Sequence, residues 1–229
     1  METWLIIGAS SSMARALVRA VAARGHGIVL AGRDMEDIKA TAAAARTLGA
    51  PFAEAMAFDA RKRDTYSALI DAMAAREGTL NAAVFVGSMP PQAEIDTDPS
   101  LIEGTVIDSF TGPAELLQGL APLLETRGGG AIVGVGSVAG DRGRIGNYVY
   151  GAAKAGFHTY LSGLRNRLGR SGAHVVTGKP GFIDTAMTWA IEGMFLVAPP
   201  QKVADDILKA VDKKRNVVYT PGFWRWIML

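Results

Sequence analysis

The sequence predicts an α/β fold: a doubly wound parallel sheet of about seven strands with helices on both faces. Three observations carry this expectation. Short, continuously apolar runs recur along the chain, and each is followed by a stretch with helical periodicity. Glycine, proline and small polar residues punctuate the joins between them. Strands that are apolar on both sides need cover on both faces, which helices packed on a parallel sheet supply. The composition, with 49% hydrophobic, 20% charged and 7% aromatic residues in 229, is that of a globular chain. A chain of this length buries roughly 70% of the surface its unfolded form exposes. It contains no internal repeat, low-complexity tract or linker, so residues 1–229 are expected to form a single domain.

Leu5-Ile6-Ile7 is the first predicted strand, followed by a turn of small residues and the helical pattern Met13, Leu17, Val18, Val21. Ile28-Val29-Leu30 is the second. Gly32-Arg33-Asp34 then starts a helix whose core, Ile38 to Leu48, ends at Gly49 and Pro51. Phe52 to Phe58 is a weaker third strand, Thr65 to Arg76 a helix, and Ala82 to Val86 a fourth strand turning at Gly87. Pro90-Pro91 begins a loop, and a helical stretch runs from about Ser100 to Thr126. Gly128-Gly129-Gly130 leads into the fifth strand, Ala131 to Val135. A long helix from about Asn147 to Arg170, the strand His174 to Thr177, the helix Pro200 to Asp212 and the strand Val217 to Tyr219 complete the alternation.

Several function classes are disfavoured. Zero cysteines exclude disulfides and thiolate chemistry and suit a reducing compartment, so the cytoplasm is the expected location. No basic region precedes the first apolar run, and no apolar stretch reaches the roughly 20 residues of a membrane helix. The formal net charge is +2, and Lys213-Lys214-Arg215 is the only three-residue basic run, expected to be a solvated helix end, so no nucleic-acid partner is expected. His26, His158 and His174 lack metal-ligand spacing; no metal is assigned and ordinary roles are expected for all three. Asp205-Asp206 is expected near a helix start, where it favours the dipole.

Gly8-Ala9-Ser10-Ser11-Ser12-Met13-Ala14 joins the first strand to the first helix, where backbone amides and the helix dipole can receive a pyrophosphate. A tight turn alone would also favour such residues. Arg33 stands at the end of the second strand, where a site preferring NAD would carry an acid for the ribose hydroxyls. A guanidinium there can hold the 2′-phosphate of NADP bidentately, so NADP(H) is favoured over NAD(H). Asp34 can equally be the N-cap of the next helix. Asp59, ending the third strand, can accept from the adenine amino group or serve only a turn.

Tyr150 and Lys154 are four apart in a predicted helix, so they share one face. A nearby ammonium favours phenolate, lowering a tyrosine from about 10 and making it a workable general acid near neutral pH. Ser137 ends the fifth strand, on the side where open α/β sheets bind ligands, and its hydroxyl can polarise a carbonyl or merely serve the turn Gly136 to Gly140. Pro180-Gly181 follows the sixth strand. Thr185 can hold a nicotinamide amide or cap a helix.

These features, in this order and at this spacing, resemble the short-chain dehydrogenase/reductase family over essentially the whole chain. The matching positions are Gly8 to Ala14, Asp59, Ser137, Tyr150-Gly-Ala-Ala-Lys154, Pro180-Gly181 and Thr185. The resemblance implies a Rossmann fold and reversible hydride transfer between an alcohol and a carbonyl of a small-molecule substrate. It also implies Ser137 orienting the substrate oxygen, Tyr150 as acid/base, Lys154 also binding the nicotinamide ribose, and a homodimer or homotetramer. The residues it assigns to the cofactor are Gly8, Ser10, Ser11, Ser12, Met13, Arg33, Asp59, Ala60 and Gly87, then Tyr150, Lys154, Pro180, Gly181, Ile183 and Thr185.

The chain departs from the family pattern at three places. Ser12 and Ala14 stand where glycines are usual, Phe85-Val86-Gly87-Ser88 replaces Asn-Asn-Ala-Gly, and Ser109 replaces the helix asparagine of the proton relay. These departures leave room for a non-catalytic NADP-binding sensor or scaffold. Within the family, the Gly-Ala-Ser-Ser start, Ser137 to Arg144 and the Val-Tyr-Thr-Pro-Gly ending are most similar to reductases of polyprenyl-linked ketosugars, which also admits the reductase half of a sugar epimerase. The segment Ala186 to Pro199 is expected to cover the substrate. The apolar tail Phe223 to Leu229 is expected to pack against a subunit or make peripheral contact with a membrane surface.

Overall fold

The computed structural model describes residues 1–187 and 196–228. Its strands are β1 (Glu2–Ile7), β2 (Gly27–Gly32), β3 (Ala53–Ala57), β4 (Thr79–Val84), β5 (Ala131–Val135), β6 (His174–Pro180) and β7 (Val217–Thr220). They form one parallel seven-stranded sheet in the order β3-β2-β1-β4-β5-β6-β7. The helices are α1 (Ser12–Ala23), α2 (Met35–Thr47), α3 (Asp64–Ala74), α4 (Gln92–Thr97), α5 (Leu101–Val106), α6 (Gly112–Arg127), α7 (Tyr148–Leu168), α8 (Pro200–Asp212) and α9 (Trp224–Met228). This is the Rossmann-type α/β architecture expected.

The apolar runs are continuous because alternate side chains serve opposite cores. Along β1, Trp4 and Ile6 join Leu17, Val21, Ile38, Val203 and Ile207 on the face covered by α1, α2 and α8. Leu5 and Ile7 join Leu69, Leu116, Leu120, Phe157 and Leu161 under α3, α6 and α7. Each such large side chain, fully withdrawn from water, contributes about 1.5–3 kcal/mol. Strands β1 to β3 grow outward on one side, and β4 returns beside β1. The crevice at the carboxyl ends of β1 and β4 is therefore the point where strand order reverses, where such sheets bind ligands.

The structure corrects several boundaries. β4 ends at Val84, so Phe85-Val86-Gly87-Ser88 is loop, while β6 extends to Pro180. The loop after Pro90-Pro91 contains α4. The helical stretch from Ser100 is broken by a π-turn, Ile107–Thr111, between α5 and α6. Pro113 explains it: proline has no N–H to give the Ser109 carbonyl, and its ring crowds that carbonyl. Asp205 and Asp206 lie beyond the first turn of α8 and bond Gln201, Lys202 and Thr220 rather than the helix terminus. Lys213 to Arg215 directly follow that helix and are exposed, as expected. The tail also differs: Trp224 and Met228 are buried with Val138 in the chain's own structure, while Trp226 stays 74% exposed.

Candidate active site

The β1-to-α1 turn is shaped by Gly8, whose φ of +77° is left-handed and whose missing side chain lets the Phe85 carbonyl approach; a Cβ there would lie 3.0 Å from the Phe85 carbonyl carbon. The turn opens a cleft of about 590 Å³. Gly8, Ser10, Ser11, Ser12 and Met13 line one end of it, at the N-terminus of α1. Arg33, Asp59 and Ala60 line the ends of β2 and β3, and Gly87 and Thr185 lie further along. Arg33 is exposed. Asp34 caps α2, its carboxylate accepting from the Asp37 N–H at 3.1 Å. Asp59 is held in a local turn, accepting from the Arg61 N–H at 3.0 Å.

Two cleft residues escaped the sequence reading. Arg61 forms a bidentate pair with Asp108, at 2.9 and 2.8 Å, and the bond to Asp108 is the main cause that raises the guanidinium above its ordinary value. Asp108 precedes Ser109 in the π-turn, and the one available signal was its carboxylate between Ile107 and Phe110 on a stretch otherwise read as helix.

Behind the Gly87 wall of the cleft, Tyr150 lies in the first turn of α7, with Lys154 one turn on; both are buried. The Lys154 ammonium donates to the carbonyls of Val86, at 3.0 Å, and Val135, at 3.1 Å, clamping the loop after β4 to the end of β5. Burial lowers Lys154 to about 8. Tyr150 is pushed up to about 12 by burial, opposed by a hydrogen bond with Ser137. The expected lowering of Tyr150 by its neighbour is thus not what this geometry gives: the ammonium is 5.8 Å from the ring centre, and desolvation dominates.

Ser137 follows β5 in extended backbone, and its Oγ accepts from the Ala139 N–H at 3.1 Å. Ser109 is fully buried; its Oγ accepts from the Ser88 N–H and donates to the Ser88 carbonyl, both at 3.2 Å. A Cβ on Gly87 would lie 3.2 Å from Lys154 Nζ and 3.3 Å from Ser109 Oγ, so both side chains close on that glycine. Ser109, Ser137, Tyr150 and Lys154 are not among the residues lining the cleft, and neither are Pro180, Gly181 and Ile183. Gly181 instead leaves room for the Trp224 indole, and Ile183 bridges to Ala198. Part of the expected covering segment, residues 188–195, lies outside the described residues, as does Leu229 of the tail.

Among the described residues no helix is long and apolar enough to cross a membrane, and no cluster of His, Cys, Asp or Glu is built to hold a metal.

Residues 2–194 match the family model for short chain dehydrogenases. An uncharacterised oxidoreductase of Mycobacterium tuberculosis is 34% identical over 218 residues, covering 95% of this chain and 87% of the relative. A sulfoacetaldehyde reductase of Chromohalobacter salexigens is 32% identical over 188 residues, covering 80% and 73%. Among solved structures, a short-chain dehydrogenase from Sphingobium yanoikuyae in complex with NADPH superposes with a TM-score of 0.88 at 27% identity, covering 99% of this chain and 91% of that one. With the sheet order and cleft described above, these likenesses make the chain a member of the short-chain dehydrogenase/reductase family and an NAD(P)-dependent oxidoreductase acting on alcohol and carbonyl groups.

Proposed function

We propose that the protein is an NADP(H)-dependent reductase that interconverts a carbonyl and an alcohol, with Tyr150 as acid/base. The observation that carries this reading is the convergence of Ser137, Tyr150 and Lys154 at the carboxyl ends of β4 and β5, beside the cleft that begins at Gly8. The cleft fits a dinucleotide: Gly8 lets the turn close against the Phe85 backbone, and Ser10 to Met13 line the cleft at the N-terminus of α1, where a helix dipole favours a phosphate. A bound nicotinamide would take up or supply the hydride. The turn residues Gly8 and Ser10 to Met13 would hold the pyrophosphate, Asp59 the adenine, Thr185 the carboxamide and Lys154 the ribose.

Arg33 would hold a 2′-phosphate, and it has no ion-pair partner among the described residues. The relative solved with NADPH supports the same choice. In reduction, the Ser137 hydroxyl orients the substrate oxygen and Tyr150 gives it a proton; in oxidation the proton returns to Tyr150. Ser109 secures the Ser88 loop beside Lys154 and in that way would border the proton route, without a free donor to brace a water in it. A peripheral contact through exposed Trp226 and Ile227, and a homodimer or homotetramer, complete the reading.

A ketone group on a polyprenyl-linked sugar is the finer substrate suggested by Ser137 to Arg144 and the Val218 to Gly222 ending. The test is a panel of aldehydes, aliphatic ketones and ketosugars, with NADPH and NADH consumption followed by absorbance. Reduction of at least one carbonyl with NADPH is expected. A chain that binds NADPH but turns over none of the panel would instead support the sensor or scaffold alternative.

A further inference from the structure

β5 leaves the sheet ladder one residue before Ser137. The Gly136 N–H still donates to the Gly178 carbonyl at 2.8 Å, but the next N–H, that of Ser137, has no strand partner. It donates instead to Nε2 of His158, at 3.3 Å. His158 lies on α7 one turn beyond Lys154, and its side chain is only 10% exposed.

The imidazole sits in a slot made by two missing side chains. A Cβ on Gly136 would fall 2.0 Å from its Nε2, and one on Gly140 would fall 2.7 Å from its Cε1. Any larger residue at either position would expel the ring.

On its far side the ring meets charge. Nδ1 lies 3.7 Å from Asp141 Oδ1, too far for a hydrogen bond but close enough for the carboxylate to favour a proton on Nδ1. Asp141 is itself fixed by the Lys179 ammonium and by the Tyr219 hydroxyl, which donates at 2.9 Å. A proton on Nδ1 leaves Nε2 as the acceptor that the Ser137 N–H requires.

We propose that His158 is a positioning residue for the active-site serine: in its neutral form, protonated on Nδ1, it anchors the Ser137 backbone through Nε2. This rests on the reductase reading for its catalytic consequence, not for the bond itself. Ser137 is then fixed at three atoms. Its N–H is held by His158, its carbonyl accepts from the Gly140 N–H at 3.0 Å, and its Oγ accepts from Ala139. The hydroxyl proton alone stays available for Tyr150 and substrate. Only the first of these anchors comes from outside the loop, so only it sets where the serine sits relative to α7. Burial, with Lys179 and Lys154 nearby, holds His158 at about 3 against the pull of Asp141, which keeps the ring neutral.

Three variants and one spectrum test this. Glutamine can place an oxygen where Nε2 stood, whereas asparagine reaches only as far as Nδ1. With NADPH and the carbonyls of the panel above, His158→Ala and His158→Asn should lose about 10²-fold in kcat, the scale of a misplaced reacting group, with NADPH affinity unchanged. His158→Gln should stay close to the wild type. If His158→Ala does not fold, the Gln-against-Asn difference decides, and equal kcat in those two overturns the proposal. So does a loss of NADPH affinity parallel to that of kcat, which would mean general damage. Long-range proton–nitrogen spectra of the folded wild type need no substrate: bare Nε2 and protonated Nδ1 at neutral pH are expected, and a proton on Nε2 overturns the anchor. A correct spectrum with no carbonyl reduced would sink the reductase reading and leave the Ser137–His158 bond standing.

Discussion

The Lys154 ammonium lies 5.8 Å from the centre of the Tyr150 ring, yet its hydrogen bonds go to the carbonyls of Val86 and Val135. Lysine here is a clamp between two strand ends as well as a charge beside the phenol. Both groups are buried, and burial drives them in opposite directions, Lys154 down to about 8 and Tyr150 up to about 12. Each is thereby biased toward its neutral form.

The depressed lysine has a consequence for stability. Below about pH 8 both folded and unfolded chains carry its proton, and the folded state bears the full cost of a buried ammonium. Between about 8 and the unfolded value of 10.5, the unfolded chain keeps a proton that the folded chain has released, so this group makes stability rise with pH. Lys154→Met should remove that rise. Urea unfolding of both proteins from about pH 7 to pH 10 should show the wild type gaining on the variant as pH increases. Parallel curves would show that Lys154 does not titrate in that window.

Removing the Tyr150 hydroxyl takes away the proposed acid and one partner of Ser137. Tyr150→Phe should lower turnover by about 10² to 10⁴-fold while leaving the fold and NADPH binding nearly intact. Circular dichroism and quenching of protein fluorescence by NADPH check the last two. Normal turnover in this variant would end the Tyr150 mechanism.

Much of this site was legible because strand, turn and helix spacing fixes where chain ends meet. Gly8 to Met13, Arg33 and Asp59 could be placed at strand ends from hydrophobic runs alone, and the cleft brings them together. One role of Gly181 was hidden for a physical reason: nothing local reveals that it makes room for Trp224, 43 residues later in the numbering, because that contact exists only once β6 and β7 are paired. The π-turn was hidden likewise, since Pro113 reads as an ordinary early-helix proline unless α5 and α6 are known to run on from one another. The Arg61–Asp108 pair joins the ends of β3 and α5 and leaves no spacing signature.

Arg33 follows β2 at the cleft, exposed and without an ion-pair partner among the described residues. A charge-assisted bond to a 2′-phosphate contributes about 1.5–3 kcal/mol, so NADPH should bind at least about tenfold more tightly than NADH. Arg33→Ala should erase most of the difference by weakening NADPH alone. Equal affinities in the wild type, or an unchanged ratio in the variant, would defeat the assignment.

Two tryptophans of the tail should behave differently. Trp224 is 1% exposed and meets the Phe182 ring edge-on with centroids 5.6 Å apart. Trp224→Ala should cost about 3–5 kcal/mol, a typical loss for a large buried aromatic. Trp226 is 74% exposed, and Trp226→Ala should change stability by about 0.5 kcal/mol or less. If the tail makes a peripheral contact, only the second variant should lower binding to lipid vesicles without loosening the fold. Unchanged binding by Trp226→Ala would remove Trp226 from that role.

Ser109 offers the last test. Its single O–H is committed to the Ser88 carbonyl, and it also accepts the Ser88 N–H, so it has no donor left for a water leading from Lys154 to solvent. An asparagine has two N–H donors and a carbonyl, enough to keep one bond to the loop and brace a water as well. The side chain is fully buried, and the space around Gly87 is already closed by Ser109 and Lys154. Ser109→Asn should therefore lose about 1–3 kcal/mol of stability through overpacking. If proton delivery limits the wild-type rate, the same variant should nonetheless raise kcat or flatten its pH dependence, with NADPH affinity unchanged. Its solvent isotope effect should fall below that of the wild type. Identical isotope effects and pH profiles in the two proteins would leave Ser109 as a brace for the Ser88 loop, with no part in the proton route.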